Sequence, residues 1–216
     1  MPDGAVVDVY GVAAIGPRKG SLVLLQEIFG LTEHIREQCD LFADHGYDVV
    51  APSLFDREAP GLEATYSPED VERCIVIARE QHDFALTISD VSHVLASLTG
   101  AGPVFILGYC YGGSAAWAAA CRCDGLTAAV SYYGSHVIRM VDETPRVPVL
   151  LHFGDQDAGI PLSDVARLKE RHPYLPIQIY AARHGFNSDR REDYDATSAM
   201  VARTRSLAFF EACSTG

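Results

Sequence analysis

Six short apolar runs recur along the chain, at residues 21–26 (SLVLLQ), 47–52 (YDVVAP), 103–108 (PVFILG), 126–133 (LTAAVSYY), 147–153 (VPVLLHF) and 176–182 (PIQIYAA). Near-continuous apolarity, in place of in–out alternation, is what strands show when helices cover both faces of a parallel sheet. An alternating stretch from Val6 to Tyr10, ending at Gly11, predicts an antiparallel edge strand.

The segments between these runs carry helical punctuation. Thr32 is placed to cap a helix over 33–45, and Gly46 to stop it. Pro68, Glu69 and Asp70 open a helical segment running towards Ala78, and a long helix follows over 83–98. Residues 111–119 are helix formers, Ser163 and Asp164 begin another helix, and 195–213 close the chain as an amphipathic one. Strands alternating with helices predict an α/β fold: a doubly wound, mostly parallel sheet with helices on both faces, as one domain over 1–216. The longest irregular stretch, 52–68, is of the kind that covers a substrate site.

Charge narrows the function. At a formal net charge of −12, the 216-residue chain would repel phosphate backbones and anionic lipid, so neither nucleic acid nor membrane is an expected partner. An anionic substrate would need local arginines working against that field. The start, MPDGAVVDVYG, lacks the basic flank and apolar core of a signal peptide, which predicts a cytoplasmic protein. The pattern does not specify an oligomeric state. The six cysteines form no disulfide framework, and Cys121-Arg-Cys123 alone is weak evidence for a metal, so no metal centre is expected.

One cysteine stands apart. Gly108-Tyr109-Cys110-Tyr111-Gly112 fits G-x-nucleophile-x-G, with a thiol where serine usually stands. The motif joins a strand to a helix by a turn so tight that only glycines fit two positions either side of the nucleophile. At the head of a helix the macrodipole favours a thiolate, and the backbone N–H of Tyr111 points where an oxyanion would form. Such folds place an acid and then a histidine further along the chain. Asp155 or Asp157 follows one strand, and His184 follows the next. His184 would take the thiol proton, and the aspartate would orient the imidazole and stabilise its charged form. Among the other histidines, His152 reads as a satisfied core residue. His34, His45, His82, His93, His136 and His172 read as helix-surface or loop residues.

The pieces QEIFGL (26–31), REAPG (57–61), GYCYGG (108–113), YYG (132–134), GDQDAGIP (154–161) and HGF (184–186) together resemble the dienelactone hydrolase family, in the family's order over most of the chain. The resemblance implies a compact α/β-hydrolase fold with a Cys/His/Asp triad, without a cofactor, acting on enol-lactones and related esters. It assigns the acid to Asp157, places the backbone N–H of Ile28 in the oxyanion hole with that of Tyr111, and sets Glu27 beside the thiol. A carboxylate there opposes the thiolate that the helix favours, and in similar enzymes it holds the resting cysteine neutral until an anionic substrate arrives.

The family binds its substrate carboxylate with two arginines. Arg73 is the counterpart of the first after a one-residue shift, and Arg57 lies close to a motif match. The second arginine's place holds Ser188, with Arg190 and Arg191 two and three residues beyond. Phe29 and Tyr133 are the aromatic candidates for the pocket wall. The implied reaction is attack of the Cys110 thiolate on a lactone or activated carboxylic ester, through a thioester acyl-enzyme that His184 helps water to clear. Two alternatives stand beside it: promiscuous hydrolysis of other activated esters, aryl or phosphate, and a thiol-based redox protein on the same fold.

Overall fold

The chain, described over residues 1–214 in a computed structural model, forms a seven-stranded sheet with flanking helices. In sequence the elements are β1 (Val9–Val12), β2 (Gly20–Leu25), α1 (Glu33–Asp44), β3 (Tyr47–Pro52), α2 (Pro68–Val76), α3 (Phe84–Leu98), β4 (Val104–Tyr109), α4 (Tyr111–Arg122), β5 (Ala128–Tyr132), β6 (Val149–Gly154), α5 (Leu162–Arg171), β7 (Ile177–Tyr180) and α6 (Ala196–Ser214). The strand order is β1-β3-β2-β4-β5-β6-β7. Every pairing is parallel except β1 with β3. This is the doubly wound, mostly parallel sheet that the strand–helix alternation predicts, and it fits the α/β-hydrolase fold that the family resemblance implies.

Strands β2, β4, β5 and β6 are buried along their whole length, which explains their unbroken apolarity. Successive side chains of β4 point to opposite faces. Phe105 meets Phe210 of α6, and Tyr109 donates to Gln38 of α1, while Gly108 lies against α4 on the other face. The edge strand sits later than its alternation suggests: Gly11 pairs with Val50, and the Asp8 carbonyl accepts from Ser53, so pairing runs past the glycine.

Three further features depart from the pattern. After α2 the chain widens into a π-helical turn over Ile77–Gln81 and restarts at Asp83, whose side chain caps α3 by accepting from the Ala85 N–H. Helix α6 is not amphipathic in the usual sense: its buried stripe is Ser198, Ala202, Ser206 and Phe210. Ser206 is tolerated there because its hydroxyl bonds Tyr132, His152 and the Ala202 carbonyl. Finally, His34, His82 and His172 are buried, not surface residues. No helix among the described residues is long and apolar enough to cross a membrane.

Going from β2 to β3 the chain moves towards one sheet edge, and β4 returns to the other side of β2. The strand order therefore reverses between the carboxyl ends of β2 and β4. In open α/β sheets such a switch point leaves a crevice where ligands bind. Glu27 and Cys110 stand at its two sides.

Candidate active site

Cys110 occupies the turn between β4 and α4 with φ 55° and ψ −109°, a backbone state that L-residues adopt only when their surroundings force it, at about 1–3 kcal/mol. Two glycines make the turn possible. A Cβ on Gly108 would lie 2.0 Å from the Gly112 carbonyl oxygen, and one on Gly112 would lie 2.4 and 2.5 Å from the oxygens of Leu25 and Gln26. The Gly112 N–H donates to the Gln26 carbonyl, which ties the turn to the end of β2. Cys110 thus sits at the N-terminus of α4, beside the positive end of the helix.

Two other strand ends converge on it. His184, beyond β7, places Nε2 3.1 Å from Cys110 Sγ and Nδ1 2.7 Å from Asp157 Oδ2. Asp157, beyond β6, is buried, and its Oδ1 accepts from the Gly159 N–H, which fixes the carboxylate's orientation. Burial alone would push the imidazole down. The negative charge on Cys110 and the hydrogen bonds with Asp157 and Cys110 outweigh it, raising His184 from 6.5 to about 10. The backbone N–H groups of Ile28 and Tyr111 have no hydrogen-bond acceptor among the described residues, and both residues line the same cavity as Cys110.

That cavity has a volume of about 270 Å³. Phe29 lies on its wall, with Val71, Ile75 and Ala78 from α2 and the π-helical turn. The cover over the site is thus largely helical rather than the irregular 52–68 stretch itself. Tyr133 is not on the wall. It is fully buried at φ 38°, with its ring edge-on to that of His184 at 5.1 Å, so it supports the imidazole from behind.

Glu27 is 1 % exposed, and Tyr66 and Arg191 hold its carboxylate: Oε2 accepts from Tyr66 Oη at 3.4 Å, and Oε1 lies 3.5 Å from Arg191 Nη1. The arginine assignments change accordingly. Arg57 is held by Asp90 and Asp3, away from the cavity, and braces the 53–61 segment against α3 and the N-terminal residues. Arg73 is exposed and pairs with Asp70 on its own helix. Neither guanidinium lines the cavity.

Arg191 does line it. Its guanidinium lies 6.0 Å from the Phe29 ring centre and 5.8 Å from that of Tyr66, a cation–π seat beside the carboxylate of Glu27. A Cβ on Gly185 would come within 2.8 Å of this guanidinium, so the glycine of HGF makes the room that Arg191 fills. That glycine was the available signal. Ser188 instead donates to the Tyr66 hydroxyl. Arg79 and His136 also reach the cavity, without any motif to announce them; burial, then the charges of Arg139 and Arg79, hold His136 below its ordinary range.

Comparisons with known proteins agree with this architecture. The model of the dienelactone hydrolase family matches residues 7–214. The carboxymethylenebutenolidase of Pseudomonas putida is 31% identical over 234 aligned positions, covering 97% of this chain and 96% of its own. Carboxymethylenebutenolidase 1 of Cupriavidus pinatubonensis is 29% identical, covering 86% and 83%. A crystal structure from Klebsiella pneumoniae subsp. pneumoniae superposes with a TM-score of 0.78 at 26% identity, over 96% of this chain and 99% of that one. The chain belongs to the dienelactone hydrolase family, and it is a hydrolase.

Proposed function

We propose that this hydrolase opens lactones and activated carboxylic esters through a thioester on Cys110, with His184 and Asp157 completing the triad. The observation that carries the reading is the continuous contact Cys110 Sγ–His184 Nε2–Asp157 Oδ2, at 3.1 and 2.7 Å, on the wall of a largely apolar cavity.

In the first half-reaction the Cys110 thiolate adds to the carbonyl carbon, and the developing oxyanion takes the N–H groups of Ile28 and Tyr111. The carbonyl re-forms as the C–O bond to the leaving oxygen breaks, and that oxygen receives the proton held on His184 Nε2. In a lactone the leaving group stays attached, so the whole ring-opened substrate remains on sulfur. In the second half-reaction His184, now neutral, takes a proton from water as the water attacks the thioester. The C–S bond breaks, and the carboxylic acid product leaves with the thiolate–imidazolium pair restored. Asp157 keeps the imidazole in one tautomer throughout. Amides are disfavoured, because thiolate is expelled from their tetrahedral adduct more readily than an amine.

Arg191 supports a preference for substrates with an acidic group near the ester. Its charge is desolvated between two aromatic rings and only loosely shared with Glu27 at 3.5 Å, so a substrate carboxylate can compete for it. A thiol-redox role has less support, since no second cysteine lines the cavity among the described residues.

The test is a panel of lactones and aryl esters, with and without a carboxylate, run on wild type and Cys110→Ala. Hydrolysis by wild type that the variant lacks supports the reading; equal rates in the two proteins overturn it.

A further inference from the structure

Helix α1 presents His34, Glu37 and Gln38 on one face, at spacings of three and four residues. All three meet the segment that follows His184. Asn187 Nδ2 donates to Gln38 Oε1 at 3.3 Å, Asp189 Oδ1 lies 3.5 Å from His34 Nδ1, and Arg190 Nη2 donates to Glu37 Oε1 at 2.7 Å. This clasp fixes the path of the chain between His184 and Arg191.

The clasp is incomplete at its centre. His34 is 1 % exposed, yet neither ring nitrogen has a hydrogen-bond partner. An unmet buried donor or acceptor costs about 1–3 kcal/mol, and native structures rarely leave both nitrogens of one imidazole so. The separation to Asp189 is too long to count as a hydrogen bond. Charge is unbalanced in the same place: Glu33, Glu37 and Asp189 carry three negative charges against one positive on Arg190, leaving two. One imidazole nitrogen and one oxygen from each of Glu37 and Asp189 lie within 4.8 Å of one another.

We propose that His34, Glu37 and Asp189 bind a divalent first-row transition ion such as zinc. At bonds of about 2.0–2.2 Å, tetrahedral ligand atoms sit roughly 3.4 Å apart, so small side-chain rotations close the site. One imidazole with two carboxylates suits zinc or its neighbours better than calcium or magnesium, which favour all-oxygen sites. Water would complete the coordination. A dipositive ion cancels the residual charge of the cluster and gives the buried imidazole its missing partner. Arg190 now holds Glu37 Oε1 at 2.7 Å and Asp189 Oδ2 at 2.8 Å, so it competes for the same two carboxylates, and it also reaches Glu33 at 3.4 Å. The ion takes no part in the thioester chemistry; it pins α1 to the segment carrying Asp189, five residues after His184 and two before Arg191.

Zinc titration of the metal-free Cys110→Ala chain, by calorimetry and by thermal melting, tests this without interference from the cavity thiol. One equivalent is expected to bind and to raise the melting temperature. Glu37→Gln and Asp189→Asn alter partly exposed side chains and should fold. Each is expected to weaken binding by roughly tenfold or more, since losing even an outer partner of a zinc ligand costs 10- to 100-fold. Arg190→Ala is expected to bind zinc more tightly, because the competing guanidinium is gone. Absence of binding, affinity unchanged in Glu37→Gln and Asp189→Asn, or weaker binding in Arg190→Ala would each overturn the site.

Discussion

Glu27 Oε1 stands 3.5 Å from Nη1 of Arg191, which lines the cavity, in a loose ion pair in which both charges are largely removed from solvent. Such a pair gives a strong but uncommitted cation: its partner is near enough to hold it and far enough to be displaced.

Arg191→Ala is accordingly expected to lower kcat/KM for carboxylate-bearing substrates by roughly 10- to 100-fold, the worth of a charged hydrogen bond at about 1.5–3 kcal/mol. Neutral esters should be affected much less. Equal losses on matched charged and neutral esters would assign Arg191 a structural role.

Arg57→Ala should act on stability instead. Its removal leaves Asp90, 1 % exposed, as an unpaired buried carboxylate, at a cost of about 3–5 kcal/mol. Urea unfolding is expected to show that loss while the kcat of the folded protein stays near wild type. By contrast, Arg73→Ala removes an exposed pair with Asp70 and should change stability by less than about 1 kcal/mol.

The His184 proton sets a pH dependence. Because its folded value is raised from 6.5 to about 10, the proton's contribution to stability is fully present below 6.5 and is lost as pH rises through about 10. The alkaline limb of kcat/KM should therefore lie near pH 10, where the imidazolium loses its proton. Asp157→Asn removes one of the groups that hold that proton and should move the limb to lower pH. A pH–rate profile of the two proteins checks both the position and the direction.

Gly112→Ala is expected to disrupt the turn itself. The added carbon would meet two carbonyl oxygens at 2.4 and 2.5 Å, and backbone on both sides leaves no flexible atom to yield. Loss of thiol reactivity with at least a few kcal/mol of destabilisation is the expected outcome of alkylation and unfolding assays.

These residues differ in how far the chain itself announced them. Cys110, Asp157 and His184 each come directly after a strand, and a sheet brings the ends of its parallel strands together whatever the helices between them do. Order along the chain points to a cysteine, an acid and a histidine at neighbouring strand ends, and the family resemblance chooses Asp157 over Asp155. Arg191 could not be read from that order, because which arginine reaches the cavity depends on the path of a loop, and that path is set by Gly185 and by the contacts of Asn187, Asp189 and Arg190 with α1. The burial of His34 is hidden for the same reason: it lies on a polar-looking stripe of α1 that the 187–190 segment covers only in three dimensions. Ser206 in α6 breaks the apolar rule because buried hydroxyl and imidazole partners await it on the sheet.

The account turns on a covalent bond to one sulfur, and the most direct measurement is intact-protein mass spectrometry after rapid acid quench of turnover on a lactone. The predicted result is an adduct equal in mass to the whole lactone, localised to Cys110, released by hydroxylamine and absent from Cys110→Ala. Full turnover with no adduct at Cys110, or an adduct on another residue that forms at the catalytic rate, would contradict it.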